Sequence, residues 1–537
     1  MNKVKKSTAE LIRRMKPSLG ESKWFNLMPK TNNASRIYGT IKIHKPGNPI
    51  RPIVDFRNTP TFELSKHLAL ILCPIRNRSN SRLTNSYEMK NKLNDIQLAN
   101  DETMVSFDIT GLYTNIPVNM ALEAVKKELT ADPELSHRTK LSIEKIILGI
   151  QLCLTSTIFK FQGKIYRQTE GVAMGSPISP IVADIFMDSW ENSALNTFNP
   201  TPKIWWRYVD DTFTVLKTEH ISSFLTHVNS QVEGIKFTFE SENEQRELAM
   251  LDCKIKRIEE GKLHTSVYRK PTHSNRYLDF NSSHPLTVKA GLVKCLTNRA
   301  VALSSTKNDL NDELKQIEEA LVLNNYPIKF IRKITKGQKQ NKNNCETSSN
   351  NINKKEYKSS TVIPYKEGTS ETLRRILNKI GIRVAFKPTN SLRDKLCRLK
   401  DPVDPIRQNN IIYKIPCNDC EVNYIGQTSR SGVVRLSEHK NLARVRMVDP
   451  EKINNLEKSS AIAMHALTHN HTIGWERVKI LKSNLGRWRE RLITESLFIE
   501  STPNTCNRND SSLIPEIWKI LLPIKSSENQ EKNNGTI

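Results

Sequence analysis

One stretch constrains this chain more than any other: Trp205-Trp206-Arg207-Tyr208-Val209-Asp210-Asp211-Thr212-Phe213-Thr214-Val215-Leu216. Two adjacent carboxylates sit between apolar runs rich in aromatic and β-branched residues. That pattern predicts a β-hairpin with both acids at its turn. Charge buried in a strand pair is costly unless something compensates it, and a divalent cation would. A third acid, Asp108, closes another apolar run, Met104-Val105-Ser106-Phe107. Three carboxylates on adjacent strands can hold two Mg²⁺ ions, which activate an attacking 3′-hydroxyl and neutralise a leaving pyrophosphate. Tyr-x-Asp-Asp alone also suits a solvated surface turn. The order of the surrounding motifs separates the two readings.

Upstream stands Asp108-Ile109-Thr110-Gly111-Leu112-Tyr113, and between the acids lies Gln168-Thr169-Glu170-Gly171-Val172-Ala173-Met174-Gly175-Ser176-Pro177-Ile178-Ser179-Pro180. With the Asp210-Asp211 stretch, these resemble motifs A, B and C of reverse transcriptases, in that order. The wording around them is most similar to the Penelope-like retroelement polymerases. The resemblance implies a right-hand polymerase of palm, fingers and thumb, with two Mg²⁺ on Asp108, Asp210 and Asp211. Arg36-Ile37-Tyr38-Gly39-Thr40-Ile41-Lys42-Ile43-His44-Lys45-Pro46 and Pro49-Ile50-Arg51-Pro52-Ile53-Val54 predict a strand pair carrying Lys42, Lys45 and Arg51. Fixed cations beside the acids suit a triphosphate, and by resemblance Lys42 and Arg51 contact the incoming nucleotide. Tyr113 stands where reverse transcriptases pack an aromatic against the sugar, which implies selection of deoxynucleotides; plain core packing is the other reading. Gln168 is expected near the template, and the small residues from Gly171 onward would let the new base pair lie against backbone.

Charge narrows the partners but not the chemistry. The 82 Lys and Arg against 56 Asp and Glu give a net charge of +26, which implies a polyanionic partner. The start, Met1-Asn2-Lys3-Val4-Lys5-Lys6, is polar and basic with no apolar core behind it, unlike a signal peptide. The longest apolar run, 68–75, is too short to span a bilayer. Nine scattered cysteines suit a reducing intracellular setting without disulfides, and the nucleus is the expected location.

Periodicity predicts a helix over 7–30, with Leu11, Ile12 and Met15 on one face, and helical structure over 61–100. Two helices follow over 119–156, then a hairpin turning at Gln162-Gly163, a helix over 181–190 and another over 221–228. Runs 236–240 and 249–255 read as strands, and 264–272 continues the sheet. The Tyr268-Arg269-Lys270-Pro271-Thr272 wording again resembles the Penelope-like family, implying a primer grip followed by thumb helices to 332. Residues 333–360 are rich in Lys, Asn, Gln and Ser and predict a flexible basic linker. A connector over 361–405 contains one clear helix, 370–380.

From Asn410 the text changes. Ile411-Ile412-Tyr413-Lys414-Ile415-Pro416 and Asn423-Tyr424-Ile425-Gly426-Gln427-Thr428 are β-type runs, each with a tyrosine, flanking Cys417-Asn418-Asp419-Cys420. Arg435 and His439 are four apart, on one helical face. Glu495 lies in a further helical stretch, 487–498, and Asn507 follows. A tyrosine that loses its proton, an arginine at the phosphate and one carboxylate on a metal suit a phosphodiester hydrolase. The layout resembles a GIY-YIG endonuclease, the kind found at the carboxyl end of Penelope-like elements. That resemblance makes Tyr413 and Tyr424 the paired tyrosines, has Arg435 and His439 assist at the phosphate, and puts one Mg²⁺ on Glu495. Asn507 matches the family's late asparagine. Ile411 replaces the name-giving glycine, as is common in Penelope-like versions. Cys417 and Cys420 have the spacing of a zinc half-site. The resemblance makes His465 and His471 the partners for a structural Zn²⁺, with His469 the rival.

The expected architecture is therefore α+β and multidomain: a right-hand polymerase over 1–332, a linker over 333–360, a connector over 361–405, a small α/β GIY-YIG nuclease over 406–520 and a disordered tail over 521–537. The amino-terminal region is short for the family, which implies a piece of a longer reading frame. The expected function is RNA-directed DNA synthesis coupled to DNA nicking. The partners would be an RNA template, target DNA, a DNA primer and deoxynucleotide triphosphates, with no membrane. The alternatives are a maturase-like intron protein and a decayed or domesticated element that only binds nucleic acid.

Overall fold

Phe107 shows why the central sheet forms. It lies fully buried within ring contact of Trp205, Phe224, Phe237 and Phe239, at centroid distances of 5.6 to 6.4 Å. Burying a ring such as Phe107, Phe224 or Phe237 is worth about 1.5–3 kcal/mol. The sheet runs in the order Ile204–Tyr208, Asp211–Lys217, Glu102–Ile109, Phe237–Ser241, with every pair antiparallel. Strand alternation sends Val105, Phe107 and Ile109 to one face, where helices Phe62–Leu72, Val118–Thr130, Ile143–Thr155 and Ser179–Asn196 cover them. Met104, Phe213 and Val215 point to the other face, against Met250 and Ile255 of a second sheet. The structure is a computed structural model, and it describes all residues except 44, 46, 78, 344–356, 389–395, 397–399, 445–458, 509–513 and 516–537.

The second sheet is antiparallel, in the order Leu263–Val267, Cys253–Arg257, Glu247–Met250. The expected single strand over 249–255 is in fact a hairpin. Met250 pairs with Cys253, and Leu251 takes a left-handed φ of 54° at the turn. The following strand stops at Val267, short of the expected 272. Pro271 has no N–H for a ladder, and the Tyr268 N–H has already turned to the Asp252 carbonyl, 2.8 Å away.

A further four-stranded sheet has the order Ile50–Asp55, Ser35–Ile41, Ile158–Phe161, Lys164–Arg167. Its middle pair is parallel and its outer pairs antiparallel. The helical expectation over 61–100 resolves into Phe62–Leu72, a short turn at Ile75–Asn77, and Ser86–Leu93. Pro74 ends the first helix, and the Asn85 side chain caps the last by accepting from the N–H groups of Tyr87 and Glu88. The amino-terminal helical run divides at Gly20 into Asn2–Leu19 and Glu21–Leu27.

Beyond the sheets, helices Leu286–Leu303, Lys307–Leu323 and Ile328–Asn343 pack around Val293, Leu296, Ile317, Leu321 and Tyr326. Thr306 and Asp309 form a capping box at the second of them. The third runs on past the expected boundary at 332. The expected linker otherwise falls mostly on 344–356, outside the described residues, as does the expected tail over 521–537. The connector holds more than one helix. Parallel strands Ser359–Pro364 and Ile382–Lys387 flank Thr369–Lys379 in a βαβ unit. The carboxyl-terminal sheet has the order Asn423–Thr428, Ile411–Pro416, Lys479–Lys482, all antiparallel. Helices Gly432–Leu442, Ala461–His469 and Trp488–Ser501 accompany it. Among the described residues no helix is long and apolar enough to cross a membrane.

Candidate active sites

The central sheet brings the three predicted acids together. Asp108 stands directly opposite Asp211 in the antiparallel register. The Ile109 N–H donates to the Asp210 carbonyl at 3.1 Å, which pins the hairpin turn to the Asp108 strand. Burial and the neighbouring acids Asp210 and Asp108 push the Asp211 carboxyl up to about 6. Burial also raises Asp210, against the opposing charges of Arg51 and Lys42. Acids that disfavour one another's charge in this way form a site that a cation would relieve.

The cations come from the strand pair Ser35–Ile41 and Ile50–Asp55 and the turn that joins it. The Lys45 ammonium donates to Asp108 Oδ2, and that bond raises its pKa. Arg51 lies opposite Thr40 on the strand pair, and the Lys42 N–H closes the turn on the Pro49 carbonyl at 2.9 Å. Tyr113 is partly buried beside the acids, and burial pushes its phenol up to about 12, so it stays protonated. The Gln168 side-chain amide donates to the Glu170 carbonyl at 2.8 Å. Lys270, in the stretch expected to grip the primer, opposes the rise of the Asp211 pKa with its charge.

The second cluster also assembles. Tyr413 and Tyr424 sit on adjacent strands with ring centroids 6.3 Å apart. His439 Nε2 lies 2.9 Å from the Tyr413 hydroxyl, and its ring is 5.3 Å from that of Tyr424. Helical spacing puts Arg435 on the same face of Gly432–Leu442, where it bonds Glu438 at 3.2 Å. Burial opposes the Arg435 charge, but the Tyr413 phenol and Glu438 hold its pKa above the ordinary value. Burial, aided by Arg435, holds His439 neutral by lowering it to about 4. Burial raises both tyrosines, and it pushes Glu495 up to about 7. Gly426 pairs with Tyr413 across the ladder, and a Cβ there would stand 2.5 Å from the Tyr413 hydroxyl. Asn507 does not point at the cluster. It clasps the Ile425 backbone, accepting from its N–H at 2.9 Å and donating to its carbonyl at 2.7 Å.

Beside this cluster, one ligand atom each from Cys417, Cys420, His465 and His471 lie within 4.8 Å of one another. Cys417 Sγ is 3.6 Å from His471 Nδ1, Cys420 Sγ is 3.4 Å from His465 Nε2, and the two ring nitrogens are 3.2 Å apart. Tetrahedral Zn²⁺ would require edges of about 3.5 Å between S and N and about 3.4 Å between N and N. His469 is outside this group of four.

Comparison with known proteins bears on the first site. Residues 43–245 match the family model described as reverse transcriptase (RNA-dependent DNA polymerase). This part of the chain is a reverse transcriptase domain. Residues 276–336 match an animal helix-turn-helix domain. No curated protein sequence matches. Among solved structures, the chain is similar to telomerase from Candida albicans in complex with a fragment of telomeric RNA. Identity is 11%, coverage 56% of this chain and 55% of that one, and the TM-score 0.41. Apo telomerase from Candida tropicalis matches at 13% identity over 57% and 60% of the two chains, with a TM-score of 0.34. Sicinivirus RNA-dependent RNA polymerase matches at 10% identity over 58% and 72%, with a TM-score of 0.37. The chain thus spans 55–60% of the length of these telomerases.

The reverse transcriptase domain rests on residues that sequence reasoning passed over. Arg207 is fully buried beneath the acid hairpin. Its guanidinium bonds Glu191, Asp188 and Asp184, and reaches the Val209 carbonyl at 3.4 Å. Val209 adopts φ 59° at the turn, a strained conformation for a β-branched residue. Arg76 and Arg82 complete the network on Asp184, while Ser81 and Trp205 donate to Glu191 at 2.7 and 2.9 Å. Two glycines seal the loop between the acids. A Cβ on Gly171 (φ 69°) would meet the Thr114 carbonyl oxygen at 2.4 Å, and one on Gly175 (φ 111°) the Val54 carbonyl oxygen at 2.2 Å. In the second cluster, buried Arg491 fastens the helix of Glu495 by donating to Gln427, Asn410 and the Leu485 carbonyl at 2.9 to 3.1 Å. An arginine inside an apolar or helical run was the available signal in each case.

Proposed function

We propose that the chain is the RNA-directed DNA polymerase of a Penelope-like retroelement, coupled to a GIY-YIG-type nicking endonuclease for target-primed reverse transcription. The observation that carries the polymerase reading is the placement of Asp108 against Asp211 and Asp210 within the segment that matches the reverse transcriptase family. A set of hard carboxylate oxygens, with Asp210 and Asp211 raised in pKa, suits Mg²⁺. Two such ions would supply activation of the primer 3′-hydroxyl and charge neutralisation at the triphosphate. Lys42, Lys45 and Arg51 hold the triphosphate in line, Lys45 exchanging Asp108 for phosphate. Tyr113 packs against the sugar, and Lys270 steadies the primer end. The helix-turn-helix match over 276–336 supports a thumb that grips a duplex by its backbone.

For the nuclease, Arg435 holds the scissile phosphate and Glu495 would hold one Mg²⁺, which supplies Lewis-acid chemistry at that phosphate. Tyr413 and Tyr424, with neutral His439, handle the proton of the attacking water. The Cys417, Cys420, His465 and His471 donor set suits a structural Zn²⁺ that closes the knuckle. The nick would expose the 3′-hydroxyl that the polymerase extends.

The test is primer extension with deoxynucleotides and Mg²⁺ on an RNA template. Wild type should extend. Asp210→Asn should lose about a thousandfold, the value of several kcal/mol of charge stabilisation. Equal extension by both proteins would sink the assignment. Failure to extend its own nick would reject the coupling even with both activities present.

A further inference from the structure

Ser460 joins the metal-ligand cluster to the paired tyrosines. Its Oγ caps helix Ala461–His469, accepting from the Ala463 N–H at 3.2 Å, and lies 2.6 Å from His439 Nδ1. The other ring nitrogen, Nε2, lies 2.9 Å from the Tyr413 hydroxyl. Ser460, His439 and Tyr413 are 2%, 0% and 1% exposed, so water does not complete these bonds. The helix that Ser460 caps carries His465, whose Nε2 is 3.4 Å from Cys420 Sγ.

We infer that Ser460 is a positioning residue that sets the tautomer of His439 and thereby orients the Tyr413 hydroxyl, and that the Cys417, Cys420, His465 and His471 cluster holds Ser460 in register. This deepens the phosphodiesterase reading above and rests on it. The argument is one of donors and acceptors. The Ser460 hydroxyl can donate to Nδ1 or accept from it; the Ala463 N–H takes one of its lone pairs and leaves the other for an imidazole N–H at Nδ1, the arrangement proposed. Nε2 is then a bare acceptor and draws the Tyr413 O–H toward it. The lone pairs of the phenol oxygen are left for the Arg435 guanidinium, which interacts with both tyrosines. The opposite tautomer would aim an Nε2–H at the same oxygen, compete with Arg435 and turn the phenol hydrogen toward the guanidinium. In this arrangement Ser460 supplies the acceptor that the Nδ1–H tautomer requires, and the Tyr413 O–H points to Nε2.

The test uses the full chain as wild type, Ser460→Ala and Ser460→Thr. Plasmid nicking in Mg²⁺, bound zinc and the ¹⁵N spectrum of selectively labelled histidine are recorded. Ser460→Ala should keep its zinc and its KM for plasmid, lose kcat by about 10- to 100-fold, and show His439 moving from Nδ1–H toward Nε2–H. Ser460→Thr, which keeps the hydroxyl, should restore both. Stripping zinc from wild type should produce the same ¹⁵N change. An unchanged His439 tautomer in Ser460→Ala, or a Ser460→Thr protein as impaired as Ser460→Ala, overturns the positioning role. A ¹⁵N spectrum that ignores zinc, or a protein that binds none, overturns the link to the cluster. If wild type does not nick at all, the hydrolase reading fails, and the histidine spectra still decide the role of Ser460.

Discussion

At the residue scale, the charges buried beneath the acid hairpin are paired with one another. Glu191 shows how much depends on that. It accepts from Trp205, Ser81 and Arg207 at once beneath the acid hairpin. Glu191→Ala would leave Arg207 buried and short of a partner, a loss of about 3–5 kcal/mol. The expected result is a lowered urea midpoint with extension lost in parallel; an unchanged midpoint would mean that Asp184 and Asp188 suffice. Burial and nearby charges push Asp188 up to about 6, so the network is already close to its limit in acids. Tyr113 allows a sharper test. Tyr113→Ala should raise kcat/KM for ribonucleotides relative to deoxynucleotides by about tenfold or more, the scale of a steric pocket contact. If selection between the sugars does not change, Tyr113 is core packing only.

At the element scale, the strand Ile50–Asp55 meets the turn that follows Asp108 through the loop 171–175. The Val54 N–H donates to the Met174 carbonyl at 2.8 Å, and the Val172 N–H to the Tyr113 carbonyl at 2.7 Å. One loop therefore ties the strand of Arg51 to the turn of Tyr113. Gly175→Ala should open this seam, because its Cβ would collide with backbone rather than with a side chain that can rotate away. A loss of about 1–3 kcal/mol is expected, together with a raised KM for deoxynucleotides. An unchanged KM would show that the seam does not set the triphosphate site. Elements with a strong local signal match their sequence reading closely. The Gln162-Gly163 hairpin forms as Ile158–Phe161 and Lys164–Arg167, and the acid hairpin turns at Val209 and Asp210. The misread elements are those whose boundary depends on contacts. The strand expected over 249–255 folds back at Leu251, and the strands of the connector are only half-buried, too weak a pattern to stand out.

At the scale of the whole molecule, the carboxyl-terminal cluster has its own core, built on Ile411, Tyr413, Ile415, Tyr424 and Ile462, with no residue shared with the central sheet's core. Cys417→Ser should therefore lose bound zinc and nicking while primer extension persists. Loss of both activities would mean that the two parts fold as one. The connector, for its part, meets the four-stranded sheet of Ile50–Asp55: Lys400 bonds Asp55 at 2.8 Å, and the Gly163 N–H donates to Asp401 at 3.2 Å. Against the cost of burial, Arg57 and Lys400 hold Asp55 far below the usual carboxylate range.

The sequence by itself determined the ordered acids, the paired tyrosines and the metal-ligand spacings, because each is a local pattern whose chemistry follows from residue type and separation. Only the tertiary structure decided what stands opposite what. It set Asp108 against Asp211, put His471 rather than His469 with the cysteines, turned Asn507 onto a backbone, and placed Arg207 under the hairpin and Ser460 behind His439. These pairings join residues distant in the chain, and their geometry comes from sheet register and from the rule that a buried polar group must find a partner. Neither is written in any single stretch.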